Sequence, residues 1–241
     1  MTNASDFISR NIIPAIMPED FDHLRSEMER FVSLVPLVQI DVMDGNLTAS
    51  KSWPYKSTVD GEFLKIVNQE EGFPFWEEVD FEADLMVSDP SRAADQWIAA
   101  GAARIIIHLE SAPAAVIGSV LKSIKDKGIE VGLAVGLETL PETFAVFYEE
   151  YKDIIDTVQF MGIEKIGFQG QLFDERVLDR ILKFKEKFPE AIISVDGGVH
   201  EESAPLLGRV GVNRLIVGSE LHDGKSVRET IEQFDDFLKI S

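Results

Sequence analysis

Asp41, Asp84 and Asp196 each lie in, or at the end of, a short run of apolar residues. An aspartate in such a run destabilises the fold unless it is paired or bound to a cation. Because side chains alternate along a strand, Gln39 and Met43 share the face of Asp41. The three aspartates together predict a cation site or a proton-transfer site. The alternative is that each one caps a loop by accepting hydrogen bonds from backbone amides.

Glycines follow three later apolar runs, where backbone amides could bind a phosphate. They include Gly167, Gly198 and Gly218, and Ser219 follows the last of these. Glycine lets the backbone approach an anion closely, and a short helix starting after the last run would add a favourable dipole. A phosphate bound in this way needs no lysine or arginine. We therefore expect an anion site here, although each glycine alone could serve only a turn.

Eight short apolar runs alternate with amphipathic stretches along the chain and must position these residues. The pattern predicts one domain over residues 1–241, a (β/α)8 barrel, with a doubly wound parallel sheet as the alternative. Two intervals between runs are long, Asp44 to Trp76 and Gly162 to Asp174, and we expect them to form loops at the active-site end. The runs are Ile12–Met17, Leu37–Met43, Val79–Val87, Arg104–Leu109, Ile129–Val135, Thr157–Met161, Ile192–Asp196 and Asn213–Val217.

Apolar residues at three- and four-residue steps predict helices between the runs. The clearest patterns extend from Phe21 to Val35, from Val177 to Phe188 and from Val227 to Leu238. Proline favours the first turn of a helix, so Asp89-Pro90 and Leu140-Pro141 predict two further helix starts. Helices at these positions would cover one face of the strands, as the apolar character of the runs requires.

The composition excludes several classes of protein. The chain has 241 residues, with 23 Lys or Arg against 43 Asp or Glu, and its formal net charge is −20. Such a charge repels nucleic acids and anionic membranes. The chain contains no cysteine, which excludes disulfides, a thiolate nucleophile and cysteine-containing metal sites. The first residues lack the pattern of a signal peptide, so we expect a cytoplasmic protein without nucleic-acid or membrane partners.

Histidine is scarce, with four in the chain, so an all-histidine metal site is not expected. His108 follows three isoleucines in the fourth apolar run. That position is more typical of a core or rim histidine with a hydrogen-bond partner than of a metal ligand. We therefore interpret His108 as a core or rim residue.

The motifs occur in the order seen in ribulose-phosphate 3-epimerases, and the chain resembles that family over nearly its whole length. The related allulose-6-phosphate 3-epimerases share the pattern. The matching segments are Ile12-x-Pro14-Ala15-Ile16, Asp41-Val42-Met43-Asp44-Gly45, Leu85-Met86-Val87, Gly167-Phe168-x-Gly170-Gln171, Val195-Asp196-Gly197-Gly198-Val199 and Val217-Gly218-Ser219. The resemblance implies a ribulose-phosphate-binding barrel, a small phosphorylated sugar as substrate and a homo-oligomer.

The resemblance also implies an activity, the epimerisation of a ketose phosphate such as ribulose 5-phosphate at C3. Asp41 and Asp196 would form the acid–base pair, one removing the C3 proton and the other delivering a proton to the opposite face through an enediolate. The substrate pocket would include Ala15, Met43, Met86 and Met161. The phosphate would bind near Gly167, Phe168, Gly198, Gly218 and Ser219.

The metal site of the family is altered in this chain. Two histidines and two aspartates hold the family's divalent metal, but Gln39 and Asp84 occupy the histidine positions, and Ala15 replaces a serine. Gln39, Asp41, Asp84 and Asp196 would form an all-oxygen site that favours Mg2+ or Mn2+ over Zn2+. The alternative is that the metal is lost and crowding raises the pKa of at least one carboxyl. The barrel would then bind a sugar phosphate without catalysis or with altered chemistry.

A lyase is a further possibility for a barrel of this type. The hexulose-phosphate synthases carry an Asp-x-Lys-x-x-Asp pattern after the second strand. This pattern is missing after the run Leu37–Met43, which counts against that branch.

Overall fold

Parallel strands close into a barrel in which helices alternate with the strands along the chain. The structure, a computed structural model, describes residues 7–56, 61–167, 170–221 and 226–239. Within these ranges eight strands pair in chain order, and the last pairs with the first. They are β1 (Ile12–Ile16), β2 (Leu37–Met43), β3 (Asp80–Met86), β4 (Arg104–His108), β5 (Glu130–Val135), β6 (Thr157–Met161), β7 (Ile193–Asp196) and β8 (Arg214–Val217). The predicted (β/α)8 barrel is confirmed, and each strand lies within a run identified in the sequence.

Helices follow the strands around the outside of the barrel. They are α1 (Phe21–Glu29), α2 (Gly61–Val67), α3 (Pro90–Ala99), α4 (Ala114–Asp126), α5 (Pro141–Tyr151), α6 (Arg176–Lys187), α7 (Ala204–Arg209) and α8 (Val227–Lys239). Both helix starts predicted from proline are confirmed, and Asp89 caps α3 by accepting a hydrogen bond from the backbone N–H of Arg92. In the described part of the chain, no helix is long and apolar enough to cross a bilayer.

Two expectations about helices are wrong. The helix α1 ends at Glu29, before the end of the predicted segment at Val35. Phe31 and Val35 are still buried, because the turn after the helix also packs against the core. The first long interval is not only a loop, since it contains α2, which buries Phe63. After β8 the chain forms a short 3₁₀ helix, Ser219–Leu221, at the place where a short helix was expected.

The register of the strands brings the predicted site residues to one end of the barrel. Asp41 on β2 lies directly opposite Asp84 on the neighbouring strand β3. Further round the barrel, Met161 on β6 lies opposite Asp196 on β7. All four residues are in the carboxyl-terminal half of their strands, so their side chains meet near the mouth of the barrel.

The core has an apolar shell outside the strands and a more polar interior. Outside, the rings of Trp53, Phe63 and Trp97 lie 4.9–5.9 Å apart in one aromatic cluster. Inside, Arg104 forms a buried ion pair with Glu82 and a second pair with Glu130, whose side chain is 57% exposed. Glu82 precedes Asp84 by two residues on β3, so this network lies in the barrel interior towards the amino-terminal ends of the strands.

Candidate active site

An open cavity lies at the carboxyl ends of the strands, where barrels of this type place their active sites. The cavity is open to solvent, and the space within it, the open mouth included, is about 570 Å³. Many residues predicted from the sequence line it: Ala15, Asp41, Met43, Met86, Met161, Gly167, Asp196, Gly198, Gly218 and Ser219. Gln39 and Asp84 are fully buried and do not line it.

The three aspartates predicted to act together do converge. Asp41, Asp84 and Asp196 each offer a carboxylate oxygen, and these oxygens all lie within 4.8 Å of one another. Asp84 has no exposed surface, Asp41 is 8% exposed and Asp196 is partly buried. Asp41 and Asp196 therefore face the cavity, while Asp84 approaches them from within the barrel.

Gln39 lies beside this cluster on β2. Its side-chain Nε2 donates a 2.9 Å hydrogen bond to Oδ1 of Asp41. Hydrogen bonding by Gln39 lowers the pKa of both Asp41 and Asp196, against the larger effects that raise them. The Gln39 Oε1 is buried without a hydrogen-bond partner in the described structure. Because the nitrogen faces Asp41, this oxygen would reach a group within the cluster only if the amide turned over.

Asp84 is held by two side chains of other strands, one from the neighbouring strand β4 and one from β6 across the barrel. The Nε2 of His108, on β4, lies 2.9 Å from Asp84 Oδ1. The Nε2 of Gln159, on β6, donates a 3.0 Å hydrogen bond to Asp84 Oδ2. Both oxygens of the carboxylate are therefore engaged. The buried, partnered position of His108 confirms the interpretation made from its apolar neighbours.

Gln159 is a site residue that the sequence reasoning missed. It is fully buried in a strand whose other members include Val158 and Phe160. A polar amide in such a run, two residues before Met161, carries the same signal that identified Asp41. Alternation places Gln159 and Met161 on the same face, towards the barrel interior.

Burial and like charge raise the pKa of both carboxyls that face the cavity. Burial has the largest effect on Asp41, followed by the carboxylates of Asp196 and Asp84. Burial also raises the pKa of Asp196, to about 7, and Asp84 adds to the rise. Because closely spaced like charges resist joint ionisation, this pair can hold one proton and one negative charge near neutral pH. That is the state an acid–base pair requires.

The charge of His108 is tied to the same cluster. Burial lowers the pKa of His108, but the Asp84 carboxylate raises it, and the net shift is upwards. The imidazole in turn lowers the pKa of Asp196. A proton on His108 therefore offsets part of the negative charge beneath the cavity.

The methionines predicted for the pocket are brought together around the aspartates. Met43, Met86 and Met161 line the cavity, each from the last position of its strand. All three are nearly fully buried, so their flexible side chains close the space around the carboxylates. Ala15 lines the same cavity.

Glycine-rich turns form the opposite wall of the cavity. Gly167 and Gly198 have positive φ angles of 91° and 67°. A side chain would not fit at either position, since a Cβ would lie 2.6 Å from Thr48 Cβ at Gly167 and 2.6 Å from Phe173 Cα at Gly198. No lysine or arginine of the described residues lines this cavity. Phe168, also predicted to bind phosphate, lies outside the described residues.

The converging oxygens fit a divalent cation. Asp41, Asp84 and Asp196 are spaced so that one ion could contact all three. Gln39, whose Nε2 points at Asp41, could add its unpartnered Oε1 if the amide turned over. A site with only oxygen donors suits hard cations such as Mg2+ and Mn2+ better than Zn2+. A cation would also relieve the repulsion that raises the pKa of the carboxyls.

Comparison with known protein families gives one match over most of the chain. A model described as the ribulose-phosphate 3 epimerase family matches residues 11–222. The ribulose-phosphate 3-epimerase of Bacillus subtilis is 27% identical over 92% of this chain and 96% of its own length. The enzyme of the same name from Eremothecium gossypii is 25% identical over 95% of this chain and 92% of its own length.

Solved structures with a similar fold include other barrel enzymes. The 3-hexulose-6-phosphate synthase of Salmonella typhimurium has a TM-score of 0.67 at 15% identity, over 95% of this chain and 99% of that one. The 3-keto-L-gulonate-6-phosphate decarboxylase of Vibrio cholerae has a TM-score of 0.66 at 14% identity, over 96% and 98% of the two chains. At these identities the likeness establishes the fold alone.

Proposed function

This chain belongs to the ribulose-phosphate 3-epimerase family, and we propose that it interconverts the C3 epimers of a ketose phosphate such as ribulose 5-phosphate. The name shared by its relatives supports this reaction class. The observation that carries the proposal is the pair Asp41 and Asp196, two cavity-lining carboxyls whose pKa values are both raised.

The pair acts by exchanging protonation states. The ionised carboxylate removes the C3 proton, and the electron pair left behind delocalises onto the adjacent carbonyl to give an enediolate. The protonated partner then delivers its proton to the other face of C3. After one turnover the two aspartates have swapped states, so the reverse reaction starts from the opposite arrangement. A pKa of about 7 at Asp196 suits this exchange near neutral pH.

A divalent cation fits the same site. Asp41, Asp84, Asp196 and the Gln39 Oε1 would hold it, with Mg2+ or Mn2+ preferred to Zn2+. When bound, such an ion stabilises negative charge that develops on substrate oxygens. Asp84, which is fully buried, has no contact with substrate in this arrangement and serves the cation alone.

The remaining walls orient the substrate. Backbone amides near Gly167, Gly198, Gly218 and Ser219 bind the phosphate and fix C3 between the two aspartates. The methionine side chains carry no acidic proton, so they cover the enediolate without protonating it. They also exclude water from the reacting carbon.

Conversion of ribulose 5-phosphate, followed by NMR, tests this function. The protein is stripped with chelator and assayed with added Mg2+, Mn2+ or Zn2+, alongside the control variant Asp236→Asn, which removes an exposed charge on α8. We expect conversion with Mg2+ or Mn2+ in both proteins. Tight binding of the sugar phosphate without conversion under any condition would overturn the proposal in favour of a binding barrel that has lost catalysis.

A further inference from the structure

We propose that His108 and Gln159 are positioning residues that orient Asp84 towards the cation site. This inference rests on the proposed cation site, but its test does not depend on turnover. The two donors come from different strands, β4 and β6, and take separate oxygens of one carboxylate at 2.9 Å and 3.0 Å. Two hydrogen bonds to separate oxygens prevent rotation of the carboxylate group. The orientation of the Asp84 carboxylate relative to Asp41 and Asp196 is therefore fixed.

Packing alone does not account for these two side chains. Each is fully buried, yet His108 Nδ1 and Gln159 Oε1 have no hydrogen-bond partner in the described structure. A half-satisfied polar network inside a barrel is less stable than an apolar core of the same shape. The bond that each residue makes to Asp84 is therefore the contact that explains its presence.

The position of Asp84 indicates why its carboxylate is held in one orientation. It does not line the cavity, so it has no route to substrate, yet one of its oxygens lies within 4.8 Å of oxygens of Asp41 and Asp196. A third carboxylate at this distance raises the pKa of both partners and is repulsive until a cation occupies the space. A cation bound among the three carboxylates would relieve this repulsion, which gives the placement of Asp84 a role in cation binding. Outer groups of this kind typically change metal affinity about 10–100-fold when they are removed.

Titration with Mn2+, with the free ion counted by electron paramagnetic resonance, tests the proposal. Gln159→Met removes the donor with little change in volume, and we expect the Kd for Mn2+ to rise about 10–100-fold. The matched control is Thr157→Val on the same strand, whose hydroxyl donates to the Ile192 carbonyl and not to Asp84. It should bind Mn2+ as the wild type does. Melting temperature and binding of inorganic phosphate monitor the fold.

A second pair of variants separates positioning from stability. The amide nitrogen of His108→Gln can occupy the place of the imidazole Nε2, whereas His108→Asn is one methylene shorter and does not reach Asp84. We expect His108→Gln to bind Mn2+ about tenfold more tightly than His108→Asn. If Gln159→Met does not fold, this pair decides the question.

Two outcomes would overturn the inference. One is wild-type protein that leaves all added Mn2+ free, and the other is a Kd within twofold of wild type for Gln159→Met or between the two His108 variants. Failure of the proposed epimerase function would be seen in a different result. Tight Mn2+ binding that weakens in these variants, in a protein that converts no ketose phosphate, would support the positioning role and refute the reaction.

Discussion

Gln39 donates a 2.9 Å hydrogen bond from its amide nitrogen to the Oδ1 of Asp41, two residues further along the same strand. In the family that this chain resembles, a histidine that binds metal stands at the position of Gln39. Here the same position supplies a donor that favours the ionised form of the aspartate. An amide can turn over, so Gln39 can donate to a carboxylate with its nitrogen or contact a cation with its oxygen.

Loss of this donor should make the aspartates harder to ionise. In Gln39→Met we expect the pKa of both Asp41 and Asp196 to rise, with Asp196 moving above about 7, because Gln39 lowers both in the wild type. The pKa values are measured by 13C NMR titration of the carboxyl carbons in metal-free protein. Asp44, whose pKa is lowered to about 2 by hydrogen bonds from Ser88 and Asn46, is an internal reference that should not move. An unchanged Asp196 would contradict the role given to Gln39.

Replacing Gln39 by histidine should change the metal preference of the site. In Gln39→His an imidazole nitrogen replaces an amide oxygen, and we expect the affinity for Zn2+ relative to Mg2+ to rise by about tenfold or more. Competition titrations of the two metals against one fluorescent chelator give the ratio. The control Gln233→His makes the same change at an exposed position on α8, and an equal shift there would contradict the assignment of Gln39.

The stability of the metal-free protein should fall as pH rises through the weakly acidic range. The folded chain binds more protons than the unfolded chain wherever a folded pKa is raised, and for Asp196 this window extends from 3.8 to about 7. The raised pKa values of Asp41, Glu82 and His108 act in the same direction. We expect the Tm to decrease between pH 4.5 and pH 7 in chelator, measured by calorimetry.

A substitution and a cation provide the controls for this pH dependence. Asp196→Asn should flatten the decrease, since the neutral amide does not titrate, whereas Asp236→Asn should keep the wild-type slope. Saturating Mg2+ should restore stability at pH 7 by binding the folded state alone. A Tm that stays constant or rises with pH in the metal-free wild type would show that the three aspartates are not crowded as described.

The proposed phosphate site should be sensitive to any side chain at Gly198. In Gly198→Ala the new Cβ would lie 2.6 Å from the Cα of Phe173, so one of the two turns must move. We expect the KM for ribulose 5-phosphate to rise about tenfold or more, together with a stability loss of about 1–3 kcal/mol from the positive φ. Gly128→Ala has a similar φ of +76° but open space around its Cβ, so it isolates the backbone effect. Equal KM values for the two variants would refute the assignment.

The sequence predicts the strands and the principal carboxylates well for identifiable reasons. Apolar runs mark buried parallel strands, and alternation fixes which side chains face inwards, so Asp41 and Asp84 could be placed together before their register was seen. The hydrogen bonds from His108 and Gln159 to Asp84 could not be predicted. The bond from Gln159 crosses the barrel from β6 to β3, strands that are not neighbours, so its geometry depends on the curvature of the closed sheet. The bond from His108 joins the neighbouring strands β4 and β3, but alternation alone does not fix whether these two side chains reach each other. The extent of α1 was missed because buried turn residues continue the helical spacing.

The most direct test of the two-aspartate mechanism is the conversion of ribulose 5-phosphate in D2O. The proton delivered to the product comes from one aspartate and the proton removed goes to the other, so the wild-type product should carry solvent deuterium at C3. Asp41→Asn and Asp196→Asn should each slow conversion by about 10²–10⁴-fold, while Asp236→Asn retains the wild-type rate. A product that retains the original hydrogen at C3, or either active-site variant within tenfold of the wild-type rate, would contradict the account.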